Sequence, residues 1–522
     1  MKSIFLKSSI GRTFLVLPDF PENEPSSTPY IIFFDKENML RYFELKEYYL
    51  EKHKAFYALP RPIGIEKLTG SWNYFFVVLL DSEEIKEFFV TKIFPKMNIT
   101  EFPDYLVLIE ESPNSESLVI EANKRFCTLF YIEVADKLIP ISYAPFNYTR
   151  QEFSSYNNHK TILSLGNARN FTMSYLKNGE LTISPNFGEL SNLYEIDAME
   201  FLVASIVGKE KKDLFVLQEE DSYSIVNDFS TRISRLQNIK HLNHINSHFA
   251  NLLYDNNITK SEMICIVYDN ISYNSRDEIV GSEFVYGNLK NMKVAGKWKP
   301  LPLPGGDIAN VEPWRIALAA IKEVINDELD TLDLSIVKNI KDNPHYSYIF
   351  NAINKKVISY SLTSSMHHII AAIGEILFFE ENVKNFDFFE LMLDDTIKNN
   401  IMENYEVKIY KDDGIYLIDT YELIKKIILD IFEGKDKREI FSKALQSILS
   451  NTLELVKIIS KETSIKSVGL TGEVFKHPNI LKSTLEILQK NKFEVYLPQK
   501  IPLDDSSLSV GQILSFLFSD ES

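Results

Sequence analysis

The sequence predicts an α/β chain organised as more than one structural unit, and three observations carry that reading. Short apolar, strand-like runs alternate with amphipathic stretches of helical period along most of the chain. A polar, Asn/Ser-rich segment, Gln151–Lys160, separates an early α/β unit from the rest of the chain. The 522 residues, 45% hydrophobic and 25% charged, exceed what one core organises but are ordinary for globular chains.

The elements follow in order. Strand-like Tyr30–Phe34, Phe75–Leu80, Tyr105–Ile109 and Thr128–Val134 are interleaved with helix-like Asn38–Glu51 and Ser82–Phe94, so residues 1–150 form a first domain. A second domain, residues 160–522, opens with strand Thr161–Leu165. Phe171–Tyr175 and Glu180–Ser184 flank Asn178-Gly179, a pair that tolerates positive φ and so marks a hairpin. Helix Ile196–Val207, strand Leu214–Leu217, helices Ser230–Leu236 and His244–Leu253, and strand Met263–Tyr268 come next. Paired strands followed by such alternation predict a mixed sheet flanked by helices. From Pro313 to about Glu462 the pattern is mostly helical. Strand Ser467–Leu470, helix Asn479–Gln489 and strand Glu494–Leu497 close the chain.

Composition removes whole classes of function. A net charge of −17, from 56 basic and 73 acidic residues, argues against nucleic acid or an anionic membrane as partner. Cys127 and Cys265 lie far apart in apolar runs, which excludes a disulfide framework or a Cys-based zinc site and predicts a reducing, cytoplasmic setting. Lys2, Lys7 and Arg12 interrupt the first twenty residues, so no signal peptide is expected there. The longest apolar strings, such as Tyr74–Leu80, are too short to span a bilayer.

Chemistry first surfaces at Asn243–Ala250. His244 and His248, four apart on a predicted helix, project from one face and can share a metal ion. With nine histidines in the chain, two polar residues on a helix surface give the same spacing, and the pair alone leaves both readings open. Further on stands Leu301-Pro302-Leu303-Pro304-Gly305-Gly306-Asp307, then Glu312-Pro313-Trp314-Arg315. Paired glycines allow a tight turn and Pro313 suits a first helical turn, so by itself this is a loop leading into a well-started helix.

The whole string, however, resembles the PLPGGD…EPWR signature of the HypF family, carbamoyltransferases of [NiFe]-hydrogenase maturation. Leu165-Gly166 with Arg169-Asn170, Phe187–Leu190, Leu362–Met366, Val468–Phe475 and Ile501–Gln512 resemble further family blocks in the same order, from about Thr161 to Gln512. The resemblance implies a two-lobed, actin-like and sugar-kinase-like ATPase fold for residues 160–522. For residues 1–150 it implies a degenerate YrdC-like α/β domain, on Tyr30–Asn38 and on Leu45–Leu59 with Lys54-Ala55-Phe56. No counterpart of the acylphosphatase or Cys-rich zinc modules of longer relatives is expected ahead of it.

In that family the YrdC-like part makes carbamoyl-adenylate from ATP and carbamate. The C-terminal part passes the carbamoyl group to the terminal cysteine of HypE. The resemblance implies one transition metal, zinc or iron, on His244, His248 and Asp505. It also implies ATP or carbamoyl-adenylate held by Asp269, Gly281, Glu283, Gly305, Gly306, Asp307, Gly472 and Glu473. It assigns no catalytic residue. A HypE-like acceptor, and a complete HypF, are the implied partners.

Departures from the family pattern matter as much. Glycines expected at 270, 272 and 274 are Asn270, Ser272 and Asn274, and Glu473 stands where a second glycine belongs. A carboxylate about 4 Å from a phosphate costs roughly 4 kcal/mol at an effective dielectric near 20 unless a cation intervenes; Arg276 is one candidate. After Met366 the family's Gly-Arg-Leu-Phe-Asp is His367-His368-Ile369-Ile370-Ala371. The N-terminal adenylate loop carries Glu110 and Glu111, with Lys52, Lys54 and Arg61 as remaining cations. Two functions are consistent with this pattern: a divergent carbamoyltransferase, or a scaffold that keeps the metal and has lost the nucleotide. A small-molecule O-carbamoyltransferase fits less well, because its domain order is reversed.

Overall fold

The computed structural model describes residues 160–184, 214–220, 238–258, 261–273, 278–306, 308–325, 329–379 and 403–518, with further strands and single residues outside these ranges. The chain divides into two compact units. The first comprises Met1–Glu219, Tyr223–His241 and Gln499–Ile513; the second comprises Glu220–Ser222, Leu242–Pro498 and Leu514–Ser522.

Unit 1 holds a six-stranded sheet in the order Thr149–Glu152, Glu180–Ile183, Ser174–Lys177, Thr161–Ser164, Leu214–Glu219, Ile239–Leu242. Asn178 (φ 52°) and Gly179 (φ 79°) make the expected hairpin turn. Thr149–Glu152 pairs antiparallel with Glu180–Ile183, so the polar 151–160 segment joins strands of one sheet. Leu163, Leu165, Phe171, Met173 and Val216 pack together as its core. A five-stranded sheet, ordered Ala55–Phe56, Phe76–Leu79, Tyr30–Phe33, Tyr105–Ile109, Leu118–Glu121, contains three of the predicted N-terminal strands. The predicted helices Asn38–Glu51, Ser82–Phe94 and Ser230–Leu236, with Lys52, Lys54, Arg61, Glu110 and Glu111, lie outside the described residues.

Unit 2 is organised by a sheet ordered Ile409–Asp412, Ile415–Ile418, Asn291–Trp298, Ile279–Asn288, Met263–Tyr273, Ser467–Thr471, Glu494–Tyr496. Its central strand is the apolar run Met263–Tyr268, buried on both faces, continued after a register break to Tyr273. That strand is antiparallel to Ile279–Asn288 and parallel to Ser467–Thr471.

The stretch expected to be mostly helical contains Trp314–Ile325, Met366–Phe378, Thr420–Phe432 and Lys437–Thr463, but strands interrupt it. Ile409–Asp412 and Ile415–Ile418 form a hairpin over Asp413 (φ 45°) and Gly414 (φ 85°), an Asp-Gly turn signal outweighed by the helical period around it. Leu301–Leu303, read as loop, is a short edge segment paired with Ser361–Thr363, which in turn pairs with Ile279 of the same sheet.

Tyr268 shows why the centre of unit 2 admits little change. Its hydroxyl meets Thr452 Oγ1 and accepts from Trp298 Nε1 at 3.2 Å, while its ring stacks on Phe475 with centroids 5.4 Å apart. Gly472, at φ 106°, runs directly beneath: a Cβ there would collide with the Tyr268 carbonyl oxygen. Gly472→Ala therefore combines a clash with an unfavourable φ, and should lower stability by about 3 kcal/mol. Urea unfolding at neutral pH measures it; a wild-type midpoint would show that the loop relaxes freely.

Candidate metal centre

The helix His244–Asp255 starts on a side-chain cap, Asn243 Oδ1 accepting from Asn246 N at 3.1 Å. Starting there puts His244 and His248 (2% and 0% exposed) one turn apart on the buried face, with ring centroids 4.9 Å apart. Opposite them the central strand ends its apolar run in Asp269, which is fully buried. Asp269 Oδ2 lies 2.7 Å from His244 Nε2 and 3.2 Å from His248 Nε2. Asp269 Oδ1 accepts from the main-chain N–H groups of Asn270 (2.9 Å) and Glu473 (3.0 Å). Thr471 Oγ1 stands 3.5 Å from His248 Nδ1, the ring nitrogen turned away from Asp269.

Burial alone pushes the Asp269 carboxyl upward. Its hydrogen bonds with His244 and His248, and their charge, outweigh that and hold it well below the usual carboxylate range. Two imidazole nitrogens and one carboxylate oxygen, all within 4.8 Å of one another, suit zinc or ferrous iron. At metal–ligand distances near 2.0–2.1 Å, ligands around a tetrahedral ion stand about 3.3 Å apart. The present separations need to open only slightly to admit an ion.

The other expected site residues, where described, are each held by local contacts of their own. Asp505 belongs to unit 1, where it opens the 3₁₀ turn Asp505–Ser507. Asp504 fixes that turn by accepting from Ser506 N (3.1 Å), Ser506 Oγ (2.6 Å) and Asn170 Nδ2 (2.9 Å). Glu283 Oε2 accepts from Gly281 N (2.7 Å) and Ser282 N (2.8 Å), and its Oε1 accepts from Ser364 Oγ (3.0 Å). Burial raises the Glu283 carboxyl against the opposing pull of Lys297 and these hydrogen bonds. Gly305 (φ 96°) packs against the Arg315 guanidinium, whose Nε donates to Glu312 Oε2 at 2.6 Å and which lies over Trp314. Asp307 and Arg276 lie outside the described residues.

Glu473 presents its N–H, not its carboxylate, to Asp269. Its Oε1 pairs with Lys476 Nζ at 3.1 Å, a cation that the family motif does not flag. Beside Val474 and Tyr268 lies a small cavity, bounded also by Met366, Ile370, Leu449 and Ile480, whose wall is apolar. Asp269 itself was expected in a nucleotide loop. The available signal was a lone carboxylate closing a wholly apolar strand, a position tolerable only with buried partners.

Comparison with known proteins shows what the chain is similar to. Residues 265–512 match the family described as carbamoyltransferase, Kae1-like domain, second subdomain. The chain is 23% identical over 388 residues to the probable carbamoyltransferase HypF of Methanocaldococcus jannaschii, covering 70% of this chain and 47% of that protein. It is 22% identical over 374 residues to the carbamoyltransferase HypF of Synechocystis sp., covering 68% and 47%. The chain thus spans about half the length of the curated relatives it matches.

Full-length HypF, crystallised in its phosphate- and nucleotide-bound form, superposes with a TM-score of 0.63 at 19% identity, over 94% of this chain and 79% of that one. HypF of T. kodakarensis gives 0.62 at 16% identity, over 94% and 68%. At such identities the superpositions establish the fold. The chain is HypF-like, and divergent. Among the described residues no helix is long and apolar enough to cross a membrane.

His477 adds a pH signature. Burial, then the charges of His367 and Lys476, pushes its imidazole down to about 3. An unfolded histidine titrates near 6.5, so the folded state refuses a proton that the unfolded chain accepts. The stability His477 contributes is whole above about pH 6.5 and drains as pH falls toward 3. Between pH 6.5 and 4.5 the loss amounts to at most about 3 kcal/mol. Urea midpoints across that range should fall more steeply for wild type than for His477→Gln; parallel profiles would contradict the assignment.

Proposed function

We propose that this chain is a HypF-like carbamoyltransferase of [NiFe]-hydrogenase maturation. In this reading it passes a carbamoyl group from carbamoyl-adenylate to the C-terminal cysteine of a HypE-type acceptor. The carbonyl carbon exchanges its bond to the adenylate phosphate oxygen for one to sulfur, AMP leaves, and the thiol proton goes to solvent or a base. The observation that carries the reading is the buried His244/His248/Asp269 constellation, of which Asp269 lies within the segment that matches the family.

These residues would hold zinc or iron, with Asp505 as a further ligand on the strength of the family motif. The ion's contribution when bound is Lewis acidity toward a phosphate or carbonyl oxygen. The chain's own residues orient His248 through Thr471 and exclude water from the buried donors. The two-lobed, actin-like arrangement, the YrdC-like nature of residues 1–150 and a cytoplasmic location belong to the same reading.

A second reading is a metal-binding scaffold that serves the same maturation machinery beside a complete HypF. One observation favours it: the Glu473 N–H, placed where a glycine loop would offer its amide to phosphate, is already bonded to Asp269.

One set of measurements separates the two. If the chain transfers carbamoyl groups, then carbamoyl-adenylate and a HypE-type acceptor yield a carbamoylated cysteine by mass spectrometry. His248→Ala should then lose most of its metal and, with it, about 100-fold or more of the rate. As a scaffold the chain leaves the cysteine unmodified and binds ATP more weakly than about 1 mM, a free energy of only about 4 kcal/mol. Glu473→Gly should tighten that binding. Equal metal content in wild type and His248→Ala would sink both.

A further inference from the structure

Asp269 stands where its strand loses register. Pairing between Met263–Tyr273 and Ile279–Asn288 runs as far as Tyr268 opposite Ser282 and resumes only at Ser272 opposite Val280. Residues 269–271 thus bulge from the ladder that fixes their neighbours. A metal ligand nevertheless has to be held to within about 0.5 Å.

Two contacts grip its main chain instead. Ser365 Oγ donates to the Asp269 carbonyl oxygen at 3.2 Å. Gly281 approaches the same carbonyl so closely that a Cβ there would lie 2.8 Å from it and 3.2 Å from Ser365 Cα. Both jaws are gathered by a single carboxylate. Glu283, 3% exposed, takes Gly281 N and Ser282 N on Oε2 and Ser364 Oγ on Oε1. Ser364 N is bonded in turn to Ile279 O at 2.8 Å, which closes the frame around the bulge.

We propose that Glu283 is a positioning residue of the metal centre. Through Gly281 and Ser364–Ser365 it clamps the main chain of Asp269, and so sets where Oδ2 stands relative to Nε2 of His244 and His248. The inference rests on the metal reading above and deepens it. The Glu283 carboxylate spends its hydrogen bonds on Gly281, Ser282 and Ser364, so its influence on Asp269 runs through the backbone.

The test uses the full chain loaded with zinc or cobalt(II): wild type, Glu283→Gln, Glu283→Ala and Ser364→Ala. Glu283→Ala should bind zinc about tenfold more weakly and shift the cobalt d–d bands, the scale expected when a ligand's support is removed. Glu283→Gln should stay within about threefold, because one amide oxygen can accept both N–H groups while its NH₂ donates to Ser364 Oγ. Ser364→Ala removes one bond of the clamp and should fall between, about threefold, with the metal-free melting temperature nearly unchanged. If Glu283→Ala does not fold, Ser364→Ala decides by the same two readouts. Wild-type affinity and bands in the alanine variants, with wild type binding metal normally, would overturn the clamp alone. Wild type that takes up neither ion would overturn the metal reading and the clamp with it.

Discussion

The carboxylate of Asp269 is the constraint around which unit 2 is arranged. A fully buried charge costs several kcal/mol in lost hydration and persists only if nearly every lone pair is met. Here Oδ2 faces two imidazoles and Oδ1 faces two main-chain N–H groups, so four partners share one carboxylate. Each partner dictates structure elsewhere. The imidazoles require a helix capped at Asn243, with both histidines on its buried side. The Glu473 N–H requires Gly472 to pass under Tyr268 at φ 106°. The bulge that aims the side chain requires Gly281 on the neighbouring strand. Glycines in the family-like blocks at 281 and 472 are thereby explained by close approach to protein backbone, with no ligand needed to account for them.

That arrangement also gives a physical account of the missing glycines. A phosphate loop needs bare backbone because its N–H groups are the ligands. Around Asp269 those donors face an internal carboxylate, and side chains take up bonding of their own: Ser272 Oγ donates to Val280 O at 3.1 Å. Glu473, which in isolation reads as a charge placed against a phosphate, is neutralised three residues on by Lys476.

Strand and helix grammar is legible in the sequence wherever period and punctuation agree: the Asn178-Gly179 hairpin, the helix at His244, the apolar strand at Met263, the helices of residues 420–463. It fails where a local signal is outvoted. The Asp413-Gly414 turn sits inside a long helical period, and Leu301–Leu303 looks like loop because the prolines around it hide an edge strand. At the site, spacing and motif recover His244 and His248, since i and i+4 on a helix fix a shared face. The contact of Asp269 with the two histidines is not legible because it is tertiary: nothing near residue 269 announces imidazoles from the helix that precedes its strand. Lys476 escapes notice for the opposite reason. It is a local i+3 partner of Glu473, passed over when cations are sought at a distance.

The metal donors and the loop amides share one carboxylate, and this ties their occupancies together. A phosphate reaching the Glu473 N–H has to displace Asp269 Oδ1, giving up a charge-assisted bond worth roughly 1.5–3 kcal/mol, or about 10- to 100-fold in affinity. An ion on Oδ2 withdraws charge from the same carboxylate, weakens its hold on that N–H, and so lowers the cost of displacement. Linkage requires the converse to the same degree: an anion that frees Oδ1 makes both oxygens available to the metal. If the donors hold an ion and the loop a phosphate, this one carboxylate couples the two sites.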